Sequence, residues 1–176
     1  MNSIKSEDLR NVAVIGHGQS GKTSLVSAFL FNSGMVNRLG KVEQGNSVTD
    51  YEEEEIEKKI SIQASLAYAI QGDNKTNIID TPGYANFIWE ARVALRATET
   101  GLIVVSALEG VEVQTEKVFD AATDLNKSVI FVVNKMSKDL ADFDKAMETI
   151  VESFGKNAVA IQIPIGKGDS FKGVES

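Results

Sequence analysis

Cysteine is absent from the 176 residues, which excludes a disulfide framework, a thiolate metal site and a catalytic thiol, and suits a reducing cytoplasm. Histidine occurs once, as His17. It reads as a packing residue of a loop rather than a catalytic base, and no metal site built from protein ligands alone is expected. Positive charge is short as well: 18 Lys and Arg stand against 25 Asp and Glu, for a formal charge of −7. A face that grips nucleic acid broadly is usually basic, so no sequence-specific nucleic-acid binding is expected of this segment. Nor is there an apolar run of membrane-spanning length, and the first ten residues lack the apolar core of a signal peptide, so no membrane partner is expected. What remains is an ordinary globular composition, 43% hydrophobic and 24% charged, long enough for one domain with a sizeable core.

Within that chain one stretch carries a mechanism. Gly16-His-Gly-Gln-Ser-Gly-Lys-Thr23 fits the phosphate-loop spacing of Gly, four residues, then Gly-Lys-Thr. The apolar run Asn11–Ile15 precedes it as a buried strand, and Ser24–Phe31 follows with apolar residues at helical spacing. Phosphate oxygens met by backbone N–H groups demand bare backbone at Gly16, Gly18 and Gly21, and the helix N-terminus adds partial positive charge. Lys22 is then placed to reach the terminal phosphates, and the Thr23 hydroxyl to ligate Mg²⁺. A plain glycine-rich turn with an exposed lysine is the bland alternative, and the flanking strand and helix argue against it.

The rest of the chain alternates. A polar N-terminus, Met1–Arg10, is expected to fray. After the helix to about Asn32, residues 35–59 lose periodicity; they form a long loop whose acidic run, Glu52–Glu55, reads as a solvated face. Strands are expected at Ser61–Ile70, Thr76–Ile79, Thr100–Val105, Ser128–Val133 and Ala158–Ile163. Helices are expected at Ala85–Ala97, at Val113–Leu125 with Val113, Val118, Ala121, Ala122 and Leu125 on one face, and at Asp142–Phe154. Such alternation predicts an α/β fold, a mostly parallel sheet with helices on both faces and ligands at the carboxyl ends of the strands. The phosphate loop, Asp80-Thr-Pro-Gly83 and Asn134-Lys135 each follow directly on an apolar strand, and so converge on one rim.

Each of these last two motifs has its own chemistry. The Asp80 carboxylate can hold Mg²⁺ through a water and the Gly83 N–H can meet a terminal phosphate, although the same residues also make an ordinary turn. Asn134 can donate and accept around a purine, with the Lys135 stem over the base plane. In this order they make the chain similar to the GTP-binding domain of translational GTPases, most closely that of elongation factor G and its paralogues. The resemblance rests on Gly16–Thr23, Gly45-Asn-Ser-Val-Thr-Asp-Tyr51, Lys59-Ile-Ser-Ile62, Asp80-Thr-Pro-Gly-Tyr84, Glu109-Gly-Val-Glu-Val-Gln-Thr115, Asn134-Lys-Met136, Ala141-Asp-Phe-Asp144 and Gln162-Ile-Pro-Ile-Gly166. It implies a P-loop G-domain that binds GTP and GDP with Mg²⁺, hydrolyses GTP, and acts in elongation on the ribosome in the cytoplasm.

By position, the resemblance implies nucleotide contacts from Gly16, His17, Gly18, Gln19, Ser20, Gly21, Lys22, Thr23, Ser24, Asp80, Asn134, Lys135 and Ser137. It implies Mg²⁺ ligation by Thr23, by Ser61 (where relatives usually carry Thr) and by Asp80 through water. Lys22, Gly83 and Tyr84 would serve catalysis, with Tyr84 at the position of a water-orienting His. A phenol of pKa about 10 is a poor acid–base substitute but can still position water. Ser137 stands where an Asp normally takes two hydrogen bonds from guanine; losing charge-assisted bonds of about 1.5–3 kcal/mol lowers guanine affinity by about one to two decades. Asp139, two residues on, is a candidate to compensate. Gln19 falls where relatives usually place Asp.

The resemblance divides the chain into a flexible 1–10, a G-domain core at 11–157 and the incomplete start of an inserted subdomain at 158–176. It expects the family's last strand and helix, and further domains, to be missing. Two other functions stay open at this stage: a nucleotide-sensing module with little hydrolysis, kept alive by Tyr84 and Ser137, and an ATP-using P-loop protein.

Overall fold

The computed structural model describes residues 4–176. Its order is β1 (Leu9–Ile15), α1 (Lys22–Asn32), α2 (Glu53–Lys58), β2 (Ser65–Gln71), β3 (Asn74–Asp80), α3 (Ile88–Arg96), β4 (Thr100–Ser106), α4 (Val113–Asp124), β5 (Ser128–Asn134), α5 (Phe143–Phe154), β6 (Ile163–Ile165) and β7 (Gly173–Glu175). Five strands form one sheet in the order β2-β3-β1-β4-β5, while β6 and β7 pair in a separate two-stranded ribbon. Only β2 runs antiparallel within the five-stranded sheet; β1 lies parallel between β3 and β4, with Val12 opposite Ile78 and Thr100.

Central strands buried on both faces need apolar residues in succession rather than alternation, and Ile103-Val-Val105 of β4 meets that need, with all three side chains fully buried. One face of the sheet packs Ile15, Ile103 and Val105 against Ala91 and Leu95 of α3, Val118 and Ala122 of α4 and Ile150 of α5. Phe119, Phe131 and Phe154 stack beside it, the closest ring pair 4.1 Å apart. The other face carries Val14, Ile78 and Val104 against Val26 and Leu30 of α1. The α/β fold with helices on both faces is therefore the observed one. Asp142 caps α5, its carboxylate accepting from the Lys145 N–H at 3.0 Å.

Five expectations change. β1 begins at Leu9, two residues early, after a 3₁₀ turn at Ser6–Asp8. β2 begins at Ser65 rather than Ser61, because the preceding backbone donates to side chains instead of a ladder: Ile62 and Gln63 N–H to Glu55, and Ala64 N–H to Glu90. The apolar alternation at 158–163 does not make a sheet strand. Val159 and Ile161 stay about 80% exposed, and only Ile163 joins the short ribbon. At the α4 N-terminus, Val113 is exposed rather than on the buried face.

The acidic run brings the largest correction. Glu52, Glu53 and Glu54 are exposed as expected, but the run also opens α2, with Glu52 as its cap, and Glu55 turns inward and is only 1% exposed. Glu55 Oε1 accepts from Ile62 and Gln63 at 2.8 and 3.2 Å, and Oε2 from the Glu52 N–H at 3.3 Å. One carboxylate thereby closes residues 52–63 into a loop. Glu55→Ala is expected to destabilise the chain by about 1–3 kcal/mol by stranding these donors, and to speed hydrogen exchange at Ile62 and Gln63. Denaturant titration and exchange read by mass spectrometry check it; unchanged exchange there contradicts the closure.

Candidate functional site

The turn between β1 and α1 is shaped by glycines where a side chain cannot fit. Gly16 has φ of 140° and its missing Cβ would lie 2.6 Å from the Val104 carbonyl oxygen. Gly21, in the left-handed region, sits under the Asn134 side-chain amide, which donates to the Ser20 carbonyl at 3.0 Å. Strand β5 thus props the loop from behind. Inside it, the Lys22 ammonium is buried and donates to the His17 and Gly16 carbonyls at 2.8 and 3.2 Å. Gly83, after β3, closes on the same group: a Cβ there would meet Lys22 Nζ, and Gly18 N and His17 O at 2.6 Å.

Hydroxyls and carboxylates gather beside Lys22. Thr23 Oγ1 and Ser61 Oγ lie 3.1 Å apart, Ser61 donates to Asp50 Oδ1 at 2.7 Å, and Thr49 donates to Asp80 Oδ2 at 2.7 Å. Asp80 is 2% exposed and its Oδ1 has no partner, nor does Asp50 Oδ2. Burial pushes the Asp80 carboxyl up to about 6, against the Thr49 hydrogen bond and the nearby Lys22 charge, and pushes Asp50 upward as well. Burial also lowers Lys22 to about 8, although Asp80 and Asp50 oppose the shift. These are groups desolvated beyond what their own neighbours compensate.

That pattern fits a divalent cation. Two unpartnered buried carboxylate oxygens beside two hydroxyls form an oxygen-only donor set, the kind that hard Mg²⁺ takes. Among the described residues no cluster of three or more His, Cys, Asp or Glu forms a metal site by itself. Water and phosphate oxygens would have to complete the shell.

A cleft of about 400 Å³ opens over this cluster, lined among others by Gly18, Gln19, Thr23, Ser24, Ser61 and Tyr84. The sites named from the sequence separate here. Lys135 lines the cleft, held at φ 64° with its ammonium 4.0 Å from Glu109, whereas Ser137 is exposed and outside the lining. His17 turns away, its Nε2 3.4 Å from a Glu112 carboxylate oxygen and its Nδ1 buried without a partner. Thr49, Asp50, Lys59 and Lys138 receive no site role from the sequence, yet Asp50, Lys59 and Lys138 line the cleft and Thr49 anchors Asp80. Thr49, Asp50 and Lys59 lie within the matching stretches Gly45–Tyr51 and Lys59–Ile62, which mark the segment without giving these side chains a role, and Lys138 has no signal of its own.

A family model for the elongation factor Tu GTP binding domain matches residues 7–175. The chain is 38% identical over 164 residues to a mitochondrial ribosome-releasing factor 2 of Debaryomyces hansenii, covering 93% of this chain and 19% of that protein. It is 36% identical over 172 residues to an elongation factor G of Salinibacter ruber, covering 98% of this chain and 24% of that protein. A crystal structure of a Thermus thermophilus protein superposes with a TM-score of 0.88 at 33% identity, over 94% of this chain and 25% of that one. The chain spans about a fifth to a quarter of the length of these relatives.

The buried carboxyl has a pH signature. Asp80 titrates near 6 when folded against 3.8 as the reference, so between those values the folded state binds the extra proton. Stability is therefore highest below pH 3.8 for this group and is lost as pH rises to about 6, by about 3 kcal/mol. Comparing ligand-free wild type with Asp80→Asn by urea titration at pH 4 and 6.5 should show the variant gaining about 2–3 kcal/mol relative to wild type. Parallel curves contradict the assignment.

Proposed function

This chain belongs to the elongation factor Tu GTP-binding domain family, and from that premise we propose that it binds GTP and GDP with Mg²⁺ and hydrolyses GTP to GDP and phosphate. The observation that carries the proposal is the convergence of a buried Lys22, two under-compensated carboxyls and the Thr23 and Ser61 hydroxyls beneath one cleft.

The chain's own groups take separate parts. Phosphate-loop N–H groups from Gly18 to Thr23 and the Lys22 ammonium meet charge on the phosphate oxygens. The Gly83 N–H meets the terminal phosphate, and the Tyr84 phenol helps position the attacking water. Thr23, Ser61 and, through a water, Asp80 would hold a Mg²⁺ ion, and Asp50 accepts from Ser61 and so fixes its hydroxyl. Bound Mg²⁺ would neutralise phosphate charge. Asn134 and Lys135 bound the base side, and Ser137 offers guanine a single hydroxyl. We assign residues 11–157 to the G-domain core and 158–176 to the start of an inserted subdomain. The protein of which such a domain is part would act on the ribosome in elongation, in the cytoplasm; the elongation named for one relative and the ribosome named for the other support the first part of this reading. Among the described residues no helix is long and apolar enough to cross a membrane.

A second reading, a nucleotide sensor with slow hydrolysis, is favoured by Tyr84 in place of a histidine and by the exposed Ser137. Displacement of a fluorescent GDP by GDP, ADP and XDP in Mg²⁺ buffer tests the base assignment. GDP alone is expected to compete at micromolar concentration, and Ser137→Asp to tighten GDP by about one to two decades. Equal competition by ADP overturns the guanine assignment. Single-turnover hydrolysis with ribosomes then separates the readings, since a rate unchanged by ribosomes leaves the sensor.

A further inference from the structure

Gln19 and Tyr84 are 65 residues apart and meet across the mouth of the cleft, where the Gln19 side-chain amide donates to the phenolic oxygen at 3.3 Å. The Tyr84 ring lies flat enough on Gly18 that a Cβ there would fall 3.2–3.4 Å from three of its carbons. The backbone entering Tyr84 is held close to the loop, since a Cβ on Gly83 would clash with Gly18 N, His17 O and the Lys22 ammonium. Gln19 itself holds φ of 62°, in the left-handed region that a residue with a side chain adopts only under strain. The strained backbone aims the amide across the loop instead of outward.

The hydrogen-bond inventory gives this pair a direction. The amide N–H occupies a lone pair of the phenolic oxygen and leaves the phenolic hydrogen uncommitted. Beneath the ring, the cleft floor is the loop and lysine to which phosphates are assigned. We propose that Gln19 is a positioning residue for the terminal phosphate: it fixes the Tyr84 phenol over the phosphate loop so that its O–H donates to a nucleoside triphosphate and not to a diphosphate. The pair thereby sets preference for triphosphate over diphosphate, and it replaces an acid–base group with a neutral donor. This rests on the nucleotide reading of the site.

The test is the ratio of dissociation constants for GDP and a non-hydrolysable GTP analogue, each measured by displacement of fluorescent GDP from the 176-residue chain. Tyr84→Phe keeps the ring on Gly18 and removes the oxygen; it should weaken the analogue about tenfold relative to GDP. Gln19→Ala should shift the same ratio in the same direction, and the double variant should match Tyr84→Phe alone, because Gln19 acts through the phenol. Gln19→Asn suits the backbone conformation but withdraws the amide by one methylene, so it should behave as Gln19→Ala. Equal loss of both nucleotides in Gln19→Ala, additive effects in the double variant, or full rescue by Asn would overturn the proposal and leave Gln19 a structural part of the loop. If wild type binds neither nucleotide, the nucleotide reading itself fails, which is a distinguishable result.

Discussion

Lys22 keeps its ammonium buried against the His17 and Gly16 carbonyls, with Gly83 closing over it, and the surrounding structure is arranged to hold that charge out of water. Backbone carbonyls compensate only part of the lost hydration, so the lysine titrates near 8 rather than 10.5. Two carboxyls nearby suffer the opposite displacement for the same reason. A cluster in which positive and negative groups are both under-solvated is poised for a ligand that brings charges of both signs. A nucleotide's phosphates with a divalent cation are such a ligand, and the binding energy would be drawn from relief of desolvation already present in the fold.

The sheet supplies the geometry for this. Parallel strands β1, β3 and β5 end at one rim, delivering the phosphate loop, Asp80 and Asn134 within reach of one another. Asn134 donates to the Ser20 carbonyl, which stiffens the loop at the end of β5. The long segment between α1 and β2 wraps the other side, tied down by Glu55 to Ile62 and Gln63, by Ser61 to Asp50 and by Ser65 to the Thr49 carbonyl. Nearly all these ties are polar and many converge on carboxylates, so the segment's order is coupled to the charge state of the site. The apolar clusters on the two sheet faces carry no such dependence.

Much of this is legible in the chain. The phosphate loop, the Asp80 turn and the strand order follow from glycine spacing and from unbroken apolar runs, which are local signals. Motif and resemblance place Lys22 at the centre and Thr23 and Ser61 on one cation, and the geometry brings the two hydroxyls together. Glu55 escapes such reading because a buried carboxylate that collects backbone donors has no composition of its own; within Glu52–Glu55 nothing marks the third acid downstream of the cap. The alternation at Ala158–Ile163 has the right period for a strand, but only Ile163 finds a partner, and periodicity does not report pairing. Gln19 is marked in the sequence only as a phosphate-loop position where relatives usually place Asp; its contact with Tyr84, 65 residues away, has no local signal.

Nucleotide binding would relieve the depressed lysine, and proton linkage measures that directly. Calorimetry of Mg²⁺–GDP binding near pH 8, in buffers of different ionisation enthalpy, should show net uptake of about half a proton as phosphate raises Lys22 from about 8 towards its ordinary value. The nucleotide's phosphates are fully deprotonated there, so uptake reports on the protein. Zero uptake, or net release, would mean that Lys22 is already fully charged in the free chain, and the account of a site held under electrostatic strain would be wrong.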